Sequence, residues 1–227
     1  MQIERSGKSY AKDTTSAMTT TPHNPLLDGM PPHPLLVVIS GPSGVGKDSV
    51  LTRMRELAFP FHFVVTATSR AIRPGESDGY DYHFVGVERF EQMINDEELL
   101  EWAMVYGQYK GIPKFEVRQA MASGRDVLLR INVDGAATVR QIAPEAVYIF
   151  LAPASEDELR RRLTVRRTES VDEIDTRLAV AAHELKQVEH FDYVVINRED
   201  RLDEAVGQIR AIITAEKQRV FPRRVSL

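Results

Sequence analysis

The sequence predicts an α/β fold in which helices cover both faces of a parallel sheet. Two observations carry this prediction. From residue 35 onward, apolar runs of strand length alternate with helical segments, which is typical of βαβ units. The first run, LLVVIS at 35–40, leads directly into GPSGVGK, which has the P-loop pattern Gly-x4-Gly-Lys. Ligands of such sheets bind at the carboxyl ends of the strands, so we expect the site there.

The loop after the first strand is predicted to bind phosphate groups. Its glycines allow successive backbone N–H groups to face one anion, and Lys47 is expected to reach the β- and γ-phosphates of a nucleotide. A helix is predicted at 49–57, and its positive end faces the same anion. Asp48 follows the lysine, where Ser or Thr normally holds Mg²⁺. The alternative is an ordinary glycine-rich turn between a strand and a helix.

The alternation of elements is interrupted in the next stretch of the chain. A second strand is predicted at 61–66, and then a polar, turn-rich segment at 69–81. Short strands at 82–85, 99–106 and 108–110 surround a helix at 87–95, in which Phe90, Met93 and Ile94 share one face. This stretch, 70–112, is a candidate inserted lobe.

Regular alternation resumes after residue 112. Ser123-Gly124 is a C-cap signal, and Ser155 and Ser170 each precede a glutamate by three residues, as in a capping box. The helices are predicted at 115–122, 135–142, 155–165, 170–187 and 202–219, and the strands at 126–132, 147–151 and 193–197.

Composition narrows the class of protein. The 227 residues are 43% hydrophobic and carry a net charge of −4, which predicts one globular core without general affinity for nucleic acid or membranes. The absence of cysteine excludes disulfides, cysteine-ligated zinc and a thiol nucleophile. Residues 1–34 are rich in Ser, Thr and Pro and are predicted to be a disordered extension. They lack the Arg-rich pattern of a transit peptide, so a cytoplasmic location is expected, or an organelle if the source is a plant.

A polar turn carries a second candidate anion site. Arg70 and Arg73 lie three residues apart, near Glu76 and Tyr82, and guanidinium groups match the oxygens of a phosphate. A solvated polar loop with two surface arginines is the alternative.

Several segments together resemble one family. GPSGVGK, TATSRAIRPGESDGYDYHFV, EWAMVYGQY, VDGA, and RRLTVRRTES followed by TRL occur in the order and spacing of the guanylate kinases. The resemblance covers 35–219, and the GKD and KGIPK wording is most similar to the organelle-type enzymes of plants. It implies a P-loop NTPase three-layer core, an inserted nucleoside-monophosphate-binding lobe and a helical lid. It also implies transfer of the γ-phosphoryl group of ATP to GMP, and to dGMP, with Mg²⁺.

The resemblance also implies domain limits and partners. The core comprises 35–69, 113–155 and 188–219, the GMP-binding lobe 70–112 and the lid 156–187, and a tail follows at 220–227. ATP and GMP are the expected partners, without nucleic acid or membrane, and the chain is expected to be a monomer or a homodimer.

The site residues implied by the resemblance fall into three groups. The ATP-binding residues are Gly41, Pro42, Ser43, Gly44, Val45, Gly46, Lys47, Asp48, Ser49, Arg162 and Asn197. The GMP-binding residues are Thr66, Arg70, Arg73, Glu76, Tyr82, Glu101, Lys110 and Asn132, of which Thr66 and Glu101 read the guanine edge. The catalytic residues are Lys47, Arg73, Arg166 and Arg177.

The predicted lid contains a cluster of arginines, which has several interpretations. Its members are Arg160, Arg161, Arg162, Arg166 and Arg167, with Arg177 on the next helix. The lid is expected to close arginines onto the transferring phosphoryl group, whose charge must be neutralised. The alternatives are a solvated helix, whose arginines pair with neighbouring acids, and a basic patch for RNA.

Some residues depart from the usual pattern of the family. Asp48 replaces the Ser or Thr of the P-loop. Arg130 replaces an acid near the metal, and Asn132 replaces an acid that helps to read guanine. Lys110 and Ile112 replace a phosphate-binding Tyr and a guanine-reading Ser. Because an acid and a base appear together near the phosphates, we predict that Asp48 and Arg130 form a salt bridge, and that Asp48 serves Mg²⁺ directly or through water.

Two other functions compete with GMP phosphorylation. A related kinase, such as a ribose 1,5-bisphosphate phosphokinase, can carry a GKDS loop, but the full Arg70, Arg73, Glu76 and Tyr82 set disfavours it. A non-catalytic guanylate-kinase-like binding module is disfavoured by Lys47 and the intact glycine loop.

Overall fold

A computed structural model describes residues 33–105, 107–164 and 171–227, and only the backbone of 171–176. The strands are β1 (Leu36–Ser40), β2 (Phe61–Phe63), β3 (Ala67–Thr68), β4 (His83–Phe84), β5 (Leu99–Val105), β6 (Gln108–Pro113), β7 (Asp126–Arg130), β8 (Val147–Ala152) and β9 (Tyr193–Ile196). The helices are α1 (Lys47–Glu56), α2 (Gly86–Asn95), α3 (Lys114–Ala122), α4 (Val133–Ile142), α5 (Glu156–Thr164), α6 (Val171–Lys186) and α7 (Leu202–Glu216). None of these helices is long and apolar enough to cross a lipid bilayer.

The main sheet has the order β2-β7-β1-β8-β9, and all its pairs are parallel, which confirms the predicted fold class. Strand β1 lies at its centre, and its side chains alternate between two cores. Val37 and Ile39 pack with apolar residues of α1 and α7, whereas Leu36 and Val38 pack with those of α3 and α4. Because both faces are covered, β1 reads as a continuous apolar run rather than an alternating one.

A second sheet, in the order β4-β3-β6-β5, is inserted in the chain between β2 and β7. Helix α2 covers it with Phe90 and Met93, and the Phe90 ring stacks on that of Tyr109 at 5.2 Å between centroids. The strands of this sheet lie between Ala67 and Pro113, and the inserted lobe predicted at 70–112 covers most of them.

The strand predicted at 61–66 is interrupted, and this part of the prediction is wrong. Only Phe61–Phe63 belongs to the main sheet, and the chain then crosses to the second sheet at Ala67. At the crossing, the buried carboxylate of Glu116 on α3 accepts hydrogen bonds from the Val65 N–H and lies within 2.8 and 3.0 Å of the His62 and His83 rings. Glu116 therefore contacts a strand of each sheet and the segment between them.

Four other boundaries differ from the predictions, and a side-chain cap explains two of them. The strand predicted at 126–132 ends at Arg130, since Asn132 caps α4, which begins at Val133 rather than Gly135. The strand predicted at 108–110 continues to Pro113, where it pairs with β5. The last helix ends at Glu216 rather than Arg219.

The two capping boxes differ in outcome. The Ser155 Oγ accepts from the Glu158 N–H at 3.1 Å, as predicted, but the Glu158 carboxylate bonds to Arg162 and to the Glu199 N–H instead of closing the box. The second box begins at Ser170, which lies outside the described residues.

The carboxyl-terminal segment is held by a buried ion-pair network. The Arg223 Nε lies 3.0 Å from the Glu216 carboxylate, and a second Arg223 nitrogen donates to the Ala146 carbonyl at 3.1 Å. Burial raises the pKa of Glu216, but hydrogen bonds from Arg223 and Tyr193 outweigh this and hold it below its usual value. Val225 and Leu227 pack against the core that lies between the main sheet and helices α3 and α4.

We predict that Arg223→Ala lowers the free energy of unfolding by about 3 kcal/mol, because it leaves the buried Glu216 charge without its main partner. Arg219→Ala is the matched control, since Arg219 is 48% exposed and reaches the same carboxylate at 3.5 Å; it should cost less than about 1 kcal/mol. Urea denaturation of both variants measures the difference. Equal losses would mean that Glu216 does not depend on Arg223.

Candidate nucleotide-binding site

The loop between β1 and α1 has a backbone that requires glycine at its two ends. Gly41 has φ of 141°, and a Cβ there would lie 2.1 Å from the Leu151 carbonyl oxygen of β8. Gly46 has φ of 95° and is the N-cap of α1, and a Cβ there would lie 2.6 Å from the Asn197 side chain. The loop therefore presses against two neighbouring strand ends, and an L side chain at either position would displace it.

Lys47 folds back over this loop. Its Nζ donates to the carbonyl oxygens of Gly41 and Pro42, the latter at 3.0 Å. Burial lowers its pKa to about 8, with Arg130 acting in the same direction and Glu184 and Asp48 opposing it. A cation held over an anion-binding loop in this way is ready to exchange carbonyl oxygens for phosphate oxygens.

Arg162 and Asn197 hold the loop from the opposite side. The Asn197 Nδ2 donates to the Val45 carbonyl at 2.8 Å, and Arg162 donates to the carbonyls of Val45 and Asn197 at 3.0 and 2.8 Å. The structure thus brings both predicted residues to the loop. The predicted alternative, that lid arginines pair with neighbouring acids, also holds for Arg162, which pairs with Glu158.

Helix α6 contacts the loop through two side chains. The Glu184 carboxylate accepts from the Ser43 N–H at 3.1 Å, and Arg177 donates to the Ser43 hydroxyl at 3.2 Å. Arg177 was predicted, whereas Glu184 was missed, since an isolated glutamate on an amphipathic helix carries no signal for a loop contact. Arg166, predicted to act beside Arg177, lies outside the described residues.

Asp48 and Arg130 form the predicted salt bridge. The Arg130 Nε lies 3.2 Å from the Asp48 Oδ1, and both side chains are partly exposed, at 42% and 75%. The prediction is confirmed. Arg130 follows the buried part of β7, beside Ile39 of β1, so the pair stands at the carboxyl edge of the sheet.

Two cavities meet at this edge. One, of about 650 Å³, is lined by the loop residues 43–49 together with Arg162 and Asn197, and its size suits a nucleotide. The other, of about 430 Å³, lies between the main sheet and the lobe and is lined by Thr66, Tyr82 and Ile112 among others. We call them the donor cavity and the acceptor cavity.

The predicted phosphate clamp is assembled around Glu76. The Arg70 guanidinium donates to both Glu76 carboxylate oxygens, at 2.6 and 2.7 Å, and lies 5.0 Å from the centre of the Tyr82 ring. These hydrogen bonds, from Arg70 first and then from the Arg73 N–H, lower the pKa of Glu76 to about 2. The Lys110 Nζ also lies close to this ring, 5.5 Å from its centre. Arg73 contacts Glu76 through its backbone: its N–H donates to the Glu76 carboxylate, and its carbonyl oxygen accepts from the Glu76 N–H. The Arg73 side chain is exposed.

Glu101 and Asn132, the predicted base readers, lie together beside the start of α4. A Cβ on Gly135 would lie 2.8 Å from the Asn132 Oδ1 and 2.9 Å from a Glu101 carboxylate oxygen, so Gly135 makes room for both. The Asn132 Oδ1 is engaged as the helix cap by the Gly135 N–H at 3.0 Å. Burial raises the pKa of Glu101 to about 7. Neither residue lines the acceptor cavity as found, whereas Ile112, the strand neighbour of Glu101, does.

Among the described residues, a metal site built by the protein alone is not found. In the described part of the chain, no cluster of three or more His, Asp or Glu side chains is placed to hold a metal ion. Mg²⁺ in kinases needs only one or two carboxylates, because phosphates and water complete its shell. The exposed Asp48 carboxylate and the Ser49 hydroxyl, which both line the donor cavity, have the oxygen chemistry for that shared arrangement.

Comparison with known proteins identifies the family of the chain that forms these two cavities. A family model described as guanylate kinase matches residues 33–216. The chain belongs to the guanylate kinase family. The match includes the loop of Lys47, the clamp of Arg70, and Glu101, so both cavities lie within it.

Individual guanylate kinases agree with this match. The protein named guanylate kinase 2, chloroplastic/mitochondrial, from Oryza sativa subsp. japonica is 54% identical over 87% of this chain and 70% of its own length. The guanylate kinase of Desulfitobacterium hafniense is 45% identical over 83% of this chain and 93% of its own. The crystal structure of guanylate kinase from Anaplasma phagocytophilum superposes with a TM-score of 0.64 at 31% identity, covering 86% of this chain and 90% of that one.

Proposed function

We infer that this protein is a guanylate kinase, which transfers the γ-phosphoryl group of ATP to GMP and yields ADP and GDP. The observation that carries the inference is the family match over residues 33–216, which includes an intact Gly-x4-Gly-Lys loop and an arginine clamp in one chain. A non-catalytic binding module needs neither, and a ribose bisphosphate kinase has no use for a buried base-reading carboxylate.

The donor cavity is proposed to bind ATP through the loop residues 41–49. The N–H groups of the loop and the amino end of α1 face the phosphates, and the Ser43 N–H, now paired with Glu184, becomes available when the lid moves. Lys47 then exchanges the carbonyls of Gly41 and Pro42 for the β- and γ-phosphate oxygens. Arg162 and Asn197, which also line this cavity, keep the loop in shape through the Val45 carbonyl.

The acceptor phosphate is proposed to bind at Arg70, Arg73, Tyr82 and Lys110. Both terminal nitrogens of the Arg70 guanidinium donate to the Glu76 carboxylate, so the guanidinium is oriented before the substrate arrives. Lys110, whose Nζ lies 5.5 Å from the centre of the Tyr82 ring, supplies a second positive charge in place of a tyrosine hydroxyl. Arg73, whose side chain is exposed, is free to turn toward the phosphate.

Guanine is proposed to be read by Glu101, Thr66 and Asn132. A carboxylate accepts from the ring N–H and the amino group that guanine has and adenine lacks. Asn132 contributes its amide NH₂, because its oxygen caps α4. Ile112 offers no hydrogen bond, so discrimination rests mainly on Glu101. Closure of the lobe has to bring Glu101 to the acceptor cavity, since it lies outside the present lining.

Phosphoryl transfer in this site needs positive charge rather than a strong base. The acceptor is already an anionic phosphate oxygen, and the charge on the equatorial oxygens of the transferring group must be neutralised. Lys47 is placed for this, and Arg177, with Arg166, is proposed to join it from the lid. Mg²⁺, held by the ATP phosphates with Asp48 and Ser49, supplies further charge neutralisation when bound.

A panel of acceptors tests the proposed function. ADP release from ATP is measured with GMP, dGMP, AMP, UMP and ribose 1,5-bisphosphate, each with and without Mg²⁺. GMP is expected to be the best acceptor, with dGMP next, and turnover should need the metal. Preferred turnover of ribose 1,5-bisphosphate, or no turnover with any acceptor, would overturn the proposal in favour of the related kinase or of the binding module.

The location of the protein and its oligomeric state stay predictions. The cytoplasmic location depends on residues 1–32, which lie outside the described part of the chain. The choice between monomer and homodimer is open to sedimentation analysis of the purified protein.

A further inference from the structure

The donor and acceptor cavities have two lining residues in common, Asp48 and Arg130. One cavity extends along the P-loop, and the other lies between α1, β2 and the lobe. A phosphoryl group that passes from a ligand in one cavity to a ligand in the other must pass the boundary between them. The Asp48–Arg130 pair therefore stands beside the transfer path.

Lys47 lies within electrostatic reach of the same pair. It precedes Asp48 in the chain and lines the donor cavity together with Asp48 and Arg130. The three charges thus form one group at the amino end of α1. Lys47 is the member expected to hold the donor phosphates, so Arg130 lies close to where their charge will be.

The bond between Arg130 and Asp48 is easily exchanged. Its closest contact, 3.2 Å between the Nε and the Asp48 Oδ1, is not a short one, and the two side chains are 42% and 75% exposed. Ion pairs this exposed contribute little to stability. The terminal nitrogens of Arg130 remain available for the planar, two-point contact that guanidinium makes with phosphate oxygens.

We propose that Arg130 is a catalytic residue, whose guanidinium leaves Asp48 and contacts the phosphoryl group as it moves from ATP to GMP. This inference rests on the proposed function. In the step, the bond between the γ-phosphorus and the β,γ-bridging oxygen breaks, and its electron pair stays on ADP. A GMP phosphate oxygen forms the new bond, and no proton is transferred. Arg130 neutralises charge on the equatorial oxygens throughout, and Asp48 is released for the metal and its water.

The competing explanation is that Arg130 only neutralises Asp48 and never contacts substrate. The two explanations differ in what the loss of Asp48 does to Arg130. If Asp48 competes with phosphate for the guanidinium, its removal must strengthen the binding of metal-free ATP more while Arg130 is present than when it is absent. If Arg130 only neutralises Asp48, removal of the carboxylate must have the larger effect when Arg130 is absent, because the carboxylate then repels ATP without a neutralising partner.

The first test is steady-state kinetics of Arg130→Met and Arg130→Lys. We expect Arg130→Met to lower kcat by about 10²-fold, with KM for ATP and GMP changed less than about threefold. Arg130→Lys should recover part of kcat, because it keeps the charge but not the fork. Arg53→Met is the matched control, since Arg53 pairs with Asp203 from the same helix as Asp48 but lines neither cavity; its kcat should stay at the wild-type value.

The second test is calorimetric binding of ATP in EDTA to the wild type, Asp48→Asn, Arg130→Met and the double variant. We expect Asp48→Asn to tighten binding by at least about threefold, and to have a smaller effect in the Arg130→Met background. Thermal midpoints confirm folding, which a change at a half-exposed strand end should not disturb.

Either of two results overturns the inference. One is a kcat for Arg130→Met within about threefold of the wild type. The other is a loss of kcat in Arg130→Met while Asp48→Asn leaves metal-free ATP affinity unchanged, which means that Arg130 acts through Asp48. A wild type that fails to phosphorylate GMP instead refutes the proposed function, and this is seen before any variant is compared.

Discussion

Lys47→Met is expected to lower kcat for GMP phosphorylation by about 10³-fold, the largest effect of any single change in this site. Lys47 is the buried cation of the P-loop, and its Nζ now bonds to the carbonyls of Gly41 and Pro42, where phosphate oxygens are expected to replace them. Methionine keeps the length of the side chain and removes its charge. The measurement is kcat from coupled ADP release at saturating ATP and GMP.

Lys47→Arg serves as the control for charge. It keeps a positive group but not the compact ammonium that fits between the loop carbonyls, so its kcat should lie between those of the wild type and Lys47→Met. Both variants should fold, and only the rise in thermal midpoint caused by ATP should be reduced. A kcat above about one tenth of the wild type in Lys47→Met would show that the loop does not hold the reacting phosphates in the proposed way.

Glu101→Gln is expected to lower kcat/KM for GMP by about 10²- to 10³-fold. A carboxylate accepts from both guanine donors, whereas a carboxamide places an N–H against one of them. The effect should be confined to guanine, so the low residual activity with AMP is the control and should not fall. Equal activity of the wild type and Glu101→Gln with GMP would show that the base is read elsewhere.

The pH dependence of KM for GMP tests the same residue. Burial raises the pKa of Glu101 to about 7, so the free enzyme increasingly holds a neutral acid as the pH falls below that value. The ionised form is the one that accepts two hydrogen bonds, and KM should therefore rise by about tenfold per pH unit below 7 and level off above it. The GMP phosphate titrates in the same way with both proteins, so its effect cancels in the ratio of their KM values. The KM of Glu101→Gln should vary with pH only through this phosphate titration.

The free energy of unfolding should depend on pH in the opposite direction to GMP binding. Since the folded pKa of Glu101 lies above its ordinary value of 4.5, the folded state binds more protons than the unfolded state between about pH 4.5 and pH 7. The contribution of Glu101 to the free energy of unfolding should therefore fall as the pH rises through that window. Glu101→Gln should lack this contribution.

Local patterns were sufficient to predict much of the fold. The apolar run of β1, the glycine loop and the helix after it follow from neighbours in the chain, and the alternation of elements then gives a parallel sheet. The Asp48–Arg130 contact was also predictable, because two departures of opposite charge fell at adjacent strand and helix ends. The family pattern placed both positions near the phosphates, and charge complementarity then identified a pair 82 positions apart in the chain.

Contacts made by single polar side chains over long distances in the chain were not predictable. Glu116 draws the chain out of the main sheet at Val65, which divides the strand predicted at 61–66. Glu184 reaches the Ser43 N–H from a helix 141 positions away. Asn132 ends a strand by capping α4, a role that competes with the one expected for it as a reader of the base. In each case the sequence shows a common polar residue, and only the packing decides its partner.

The most direct test of the account is to follow the phosphoryl group itself. ATP labelled at the γ-phosphorus is incubated with GMP, Mg²⁺ and the protein, and the products are separated. The account predicts that the label appears in the β-phosphate of GDP, in amounts equal to the ADP formed, and that the same protein transfers little label to AMP. Label recovered as inorganic phosphate, or transferred to AMP as readily as to GMP, would contradict it.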